Sequence, residues 1–122
     1  MLSSIGHIAL VVREPARTAE LFGKLFDCKT VSRRDADGHD ETFVKLGDTW
    51  LVLVQADVER TRTGDHIAFK VSKATLEAMA QKLEALRVEH IRARSGTSVY
   101  FFDYDNHVFE LDTTTMEEEL GY

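Results

Sequence analysis

The stretches GHIALVV (residues 6–12) and DHIAFKV (residues 65–71) share the pattern His-Ile-Ala-x-x-Val. Each is a short apolar run opened by a histidine, the form of a buried strand. Alternation along the first puts His7, Ala9 and Val11 on one face and Ile8, Leu10 and Val12 on the other. The second places His66 and Ala68 opposite Ile67 and Phe69. The bulky faces suit a helix cover. The histidine faces, thinned by alanine, suit a hollow.

The segments after the two stretches repeat as well. Beyond the first strand (5–12), Pro15 opens a helix over 15–27 with Ala19, Phe22 and Phe26 at helical spacing. A strand at 28–34, a turn at 35–40 marked by Asp-Gly, and a hairpin of 41–47 with 49–55 come next. After DHIAFKV, Ser72 caps a helix running to about residue 87, with Leu76, Met79, Ala80, Leu83 and Leu86 on one stripe. A strand at 88–94 and a hairpin of 98–105 with 107–113 complete the second half. His66 lies 59 residues beyond His7, about half of the 122-residue chain. The expected fold is α+β: two tandem βαβββ modules, about 4–55 and 65–113, in one domain. A polar linker at 56–64 joins them, and 114–122 forms a tail. The modules build a curved mixed sheet with the helices on its outer face, and each module needs a second copy to cover its open side.

Composition narrows the function. Hydrophobic residues make up 43% of the chain, enough for a core, and the net charge is −6. With an isoelectric point near 5.3, the surface repels phosphate backbones, so nucleic acid is not an expected partner. No signal segment opens the chain and no apolar run reaches membrane-spanning length, so no membrane is expected. Cys28 is the single cysteine; it reads as a packing residue in a reducing, cytoplasmic setting.

The last strand adds a third chemical group. In HVFEL (107–111), Glu110 stands among Val108, Phe109 and Leu111. A carboxylate in an apolar strand is costly unless it is paired or holds a metal. Two imidazoles and one carboxylate make a facial ligand set with open positions for substrate or water. The plainer reading pairs Glu110 with Lys70 or Arg94 and leaves the histidines at the surface. His39, His90 and His107 read as solvated, and DYDN (103–106) as a hairpin turn.

GHIALVV, DETFVKLGDTW, DHIAF, KLEALRVE and SVYFFDYDNHVFEL together resemble the vicinal oxygen chelate superfamily, and within it the FosX-type fosfomycin-resistance epoxide hydrolases. The resemblance implies that His7, His66 and Glu110 bind a divalent ion, Mn2+ first and otherwise Fe2+, Zn2+, Ni2+ or Co2+. It implies a homodimer whose site takes His7 from one chain and the other two ligands from its partner. It also implies that Glu41 is the general base adding water to an epoxide of a small oxyanionic substrate. Ser98 and Tyr100 would hold the phosphonate, and Trp50 would wall the pocket. Three features depart from that pattern. Ala9 stands where the family has threonine, Glu119 where it has arginine, and the loop RARSGT lacks the family's glycine-rich insertion. The same superfamily also holds glyoxalase-type lyases or isomerases, ring-cleaving dioxygenases, and metal-free drug-binding modules resembling bleomycin-resistance proteins. These remain the alternatives.

Overall fold

The computed structural model describes residues 1–122. Its elements run β1 (His7–Val12), α1 (Pro15–Phe26), β2 (Thr30–Arg34), β3 (Asp40–Leu46), β4 (Thr49–Gln55), β5 (His66–Lys70), α2 (Lys73–Ala85), β6 (His90–Ala93), β7 (Ser98–Phe102), β8 (Val108–Asp112) and α3 (Met116–Leu120). The α+β class and the doubled βαβββ order are those the repeat predicts. The chain divides into two compact units, Met1–Glu59 and Arg60–Tyr122. Each holds a four-stranded mixed sheet, in the orders β1-β4-β3-β2 and β5-β8-β7-β6. The first strand of each unit lies parallel to the last, and the remaining pairs are antiparallel. No helix is long and apolar enough to cross a membrane.

Pattern becomes packing in the same way in both units. In the first, α1 lies on β3 and β4, burying Phe22 and Leu25 with Val12, Val44, Leu51 and Leu53. Pro15 occupies the first turn, where its missing N–H costs nothing. In the second, α2 lies on β6 and β7, and Leu76 and Leu83 are buried with Val99, Phe101, Phe109 and Leu111. Ser72 caps α2, its hydroxyl accepting the Thr75 amide at 3.1 Å. Phe109 stacks on Phe101 with ring centroids 5.2 Å apart and on Phe69 at 6.2 Å. Phe109→Ala is therefore expected to lower unfolding stability by about 3–5 kcal/mol, measured by urea denaturation. Cys28 is half-buried and donates to the Phe22 carbonyl at 3.4 Å; burial pushes its thiol pKa up, in keeping with a packing role.

Three details differ from the sequence reading. The β7–β8 strands stop short of 105 because Asp103 organises the turn. Its Oδ1 accepts the amides of Asp105 and His107 at 2.9 and 2.8 Å. His107 is also not solvated. It is only 7% exposed, with Nδ1 2.8 Å from Asp103 Oδ2. His90 is likewise part-buried, with Nδ1 2.7 Å from the Val88 carbonyl, whereas His39 is exposed in its turn.

Candidate functional site

In the first unit, cross-strand register gathers the residues. His7 sits beside Trp50 across the β1–β4 pair, and Trp50 opposes Lys45 on β3, whose ammonium lies 5.7 Å from the indole centroid. Glu41 opposes Arg33 across β2–β3. The Arg33 Nε is 3.4 Å from Glu41 Oε1, and its guanidinium covers the Phe43 ring at 5.0 Å. His7, Arg33, Glu41, Phe43 and Trp50 line one cleft of about 510 Å³. An imidazole, a carboxylate and aromatic walls therefore share an accessible hollow, because the β1–β4–β3 pairing sets the His7 face beside the face that bears Glu41 and Phe43.

The second unit carries the other set. Glu110 on β8 lies beside Ala68 on β5 and opposite Tyr100 on β7. The small Ala68 side chain leaves room for His66, whose Nε2 is 3.3 Å from Glu110 Oε1. The His66 ring meets Tyr100 edge-on at 5.6 Å. Glu110 is 3% exposed, so its carboxylate has little water.

The geometry around His66 is informative. Its Nδ1 lies 2.9 Å from the Gly64 carbonyl oxygen, which only accepts, and its Nε2 faces a carboxylate, which also accepts when ionised. A neutral imidazole can satisfy just one of the two. If Nδ1–H bonds to Gly64, the Nε2 lone pair points at Glu110 oxygen, an arrangement that favours a cation between them. A backbone acceptor on the far nitrogen is the usual orienting partner of a metal-ligating histidine. The donor set therefore fits a divalent metal.

Of the two cations that sequence offered as partners of Glu110, Arg94 is the one in reach. Its Nη1 lies 3.4 Å from Glu110 Oε2 and 3.0 Å from Asp112 Oδ2, and its Nη2 pairs with Glu119 of α3. Lys70 instead donates to the Val71 carbonyl at 3.3 Å. The backbone aims Arg94 through three consecutive residues with positive φ, Arg94 (54°), Ser95 (57°) and Gly96 (88°). Left-handed backbone at non-glycine residues is strained and concentrates at functional loops. Burial raises the Asp112 pKa, but the Thr114 amide and hydroxyl and Arg94 outweigh it, holding the carboxyl below its ordinary value. Burial first, then Glu110, raises the Tyr100 pKa above its ordinary value.

Ser98 opposes Asp112 in the sheet. It is fully buried, and its hydroxyl has no hydrogen-bond partner in the chain. The sequence reading missed Asp112 and the Glu119 pairing. The alternation Glu110-Leu111-Asp112 was the available signal for the first; nothing local signals the second. A further grouping, Asp35, Asp37 and His39, brings ligand atoms within 4.8 Å of one another at the β2–β3 turn. There Asp35 Oδ1 already serves the amides of Asp37 and His39.

Comparison with known proteins gives the family. The model of the Glyoxalase/Bleomycin resistance protein/Dioxygenase superfamily matches residues 4–111. The fosfomycin resistance protein FosX of Listeria innocua is 31% identical, over 98% of this chain and 96% of its own length. The metallothiol transferase FosB of Lysinibacillus sphaericus is 28% identical, over 99% of this chain and 89% of its own. Among solved structures, a variant of FosX from Listeria monocytogenes, complexed with Mn(II) and 1S,2S-dihydroxypropylphosphonic acid, superposes with a TM-score of 0.87. The two are 32% identical, over 98% of this chain and 99% of that one. With a family match spanning both histidine strands and Glu110, the chain belongs to the Glyoxalase/Bleomycin resistance protein/Dioxygenase superfamily and is similar over nearly its whole length to FosX-type fosfomycin resistance proteins.

Proposed function

We propose that the chain is a divalent-metal-dependent epoxide hydrolase acting on a small phosphonate such as fosfomycin, with Glu41 as general base. It is read as one domain of two modules, 4–55 and 65–113, with the linker 56–64 and the tail 114–122. It would work in the cytoplasm as a homodimer in which His7 of one protomer joins His66 and Glu110 of the partner subunit. The observation that carries the reading is the buried Glu110 carboxylate 3.3 Å from an imidazole nitrogen. The ligands of the Listeria monocytogenes relative support it: Mn(II) and a diol that is fosfomycin plus one water.

His7, His66 and Glu110 would hold the metal, Mn2+ first, as in the Listeria monocytogenes relative, although imidazole and carboxylate donors also admit Fe2+, Zn2+, Ni2+ and Co2+. Bound there, the ion supplies Lewis acidity toward the epoxide oxygen. Glu41 would accept a proton from water as the water oxygen attacks an epoxide carbon. The C–O bond breaks with its electron pair going to the ring oxygen, which takes a proton from solvent to give the diol, while Glu41 releases its proton to solvent. Tyr100 offers an O–H to a phosphonate oxygen, and Trp50 and Phe43 shape the apolar wall. Ser98, opposite Asp112 in the sheet, would add a hydroxyl for the phosphonate.

The test is direct. Mn2+-loaded protein incubated with fosfomycin is expected to yield 1,2-dihydroxypropylphosphonate, monitored by 31P NMR, and chelation is expected to stop it. An adduct formed only when a thiol is supplied would replace hydrolysis with thiol transfer. No conversion of either kind would remove the assignment. Arg94 gives a further prediction. It places a positive charge 3.4 Å from a proposed metal-binding carboxylate, so the two cations repel. Arg94→Gln is expected to tighten Mn2+ binding by up to about tenfold, less at high salt, read by titrating the EPR signal of free Mn2+.

A further inference from the structure

We infer that Arg62, in the linker, is a positioning residue for His66, setting the ring through the Gly64 carbonyl; the inference rests on the proposed metal role of His66. The segment 56–65 contains no helix or strand, yet Arg62 is tied to three separate places in the second unit. Its Nη1 and Nη2 donate to the two oxygens of Glu89, just before β6, at 2.6 and 2.8 Å. Its Nε donates to Asn106 Oδ1 at 3.0 Å, and Asn106 in turn donates from Nδ2 to the Arg60 carbonyl at 2.7 Å. Its guanidinium lies 3.8 Å from the centroid of the Phe102 ring at the end of β7.

Register connects this clamp to the metal face. Phe102 opposes Val108, and Val108 lies beside His66. Phe102, Val108 and His66 thus form one row across β7, β8 and β5 on the face that bears Glu110. Arg62 sits on this row and two residues before Gly64. The intervening chain is short and turned, with the Asp65 amide donating to Thr63 Oγ1 at 3.2 Å. Fixing Arg62 therefore fixes where the Gly64 oxygen stands, and that oxygen is the 2.9 Å partner of His66 Nδ1. A partner on the far ring nitrogen sets which nitrogen carries the proton and where the other points.

Exposure indicates what the clamp is for. The Arg62 side chain is 37% exposed and that of Glu89 is 59% exposed, and ion pairs so open to water add little stability. A planar fork that grips a carboxylate while stacking on an aromatic ring adds geometry, which lysine cannot reproduce.

The experiment titrates Mn2+ by EPR into the full chain and its variants, with melting temperatures in parallel. Arg62→Gln is expected to weaken Mn2+ binding about tenfold to a hundredfold at a nearly unchanged melting temperature. Arg62→Lys is expected not to restore it, and Glu89→Gln to shift it in the same direction. In the metal-free protein, amide exchange at 62–66 is expected to speed up in Arg62→Gln while β7 and β8 stay protected. His66→Ala separates the two readings. If it binds Mn2+ like the parent, the metal assignment falls and this inference with it. If His66→Ala loses binding while Arg62→Gln and Glu89→Gln keep parental affinity, the inference alone is overturned.

Discussion

Glu110→Gln is expected to weaken Mn2+ binding by at least about a hundredfold and to remove metal-dependent turnover, while the metal-free protein melts no lower than the parent. The loss of binding comes from replacing an anionic donor with a neutral amide beside His66. The unchanged melting comes from desolvation. A carboxylate that is 3% exposed is held out of water at a cost, and Arg94 keeps Asp112 and Glu119 when Glu110 is neutral. The metal reading and the structural one therefore move different quantities. Were Glu110 only an ion-pair partner of Arg94, the substitution would lower the melting temperature and leave metal affinity alone. Isothermal titration with Mn2+ and a thermal melt of the same sample decide the matter.

Glu41→Gln is expected to lower diol formation from fosfomycin about a hundredfold to ten-thousandfold, the usual range for a positioned base, with Mn2+ affinity within about twofold of the parent. Glu41 is paired with Arg33 in the first-unit cleft and is not one of the proposed ligands, and glutamine would occupy the same space. The measurement is turnover at saturating Mn2+ by 31P NMR. A loss of metal binding would move Glu41 into the ligand set, and undiminished turnover would remove it as base.

Much of this arrangement is legible in the sequence because it rests on short-range periodicity. The doubled His-Ile-Ala pattern marks β1 and β5, and alternation alone puts Glu41, Phe43 and Lys45 on one face and Ser98, Tyr100 and Phe102 on another. The lone acid in HVFEL marks Glu110. What was not legible depends on side chains meeting across long separations. Arg62 looks like linker until it meets Glu89, Phe102 and Asn106, residues 27 to 44 positions away. The choice between Lys70 and Arg94 as the neighbour of Glu110 turns on a left-handed backbone at 94–96 that no periodicity announces. His107 looked solvated because it comes after a turn, and only the turn's own geometry brings Asp103 onto its ring.

The left-handed run at Arg94-Ser95-Gly96 has a bearing on how the charge beside Glu110 can change. A run of this kind has a set length: one residue more or less rotates everything downstream of it and swings the guanidinium off Asp112 and Glu119. The charge beside Glu110 is therefore easier to retune by exchanging Asp112 or Glu119 than by lengthening the segment that carries Arg94.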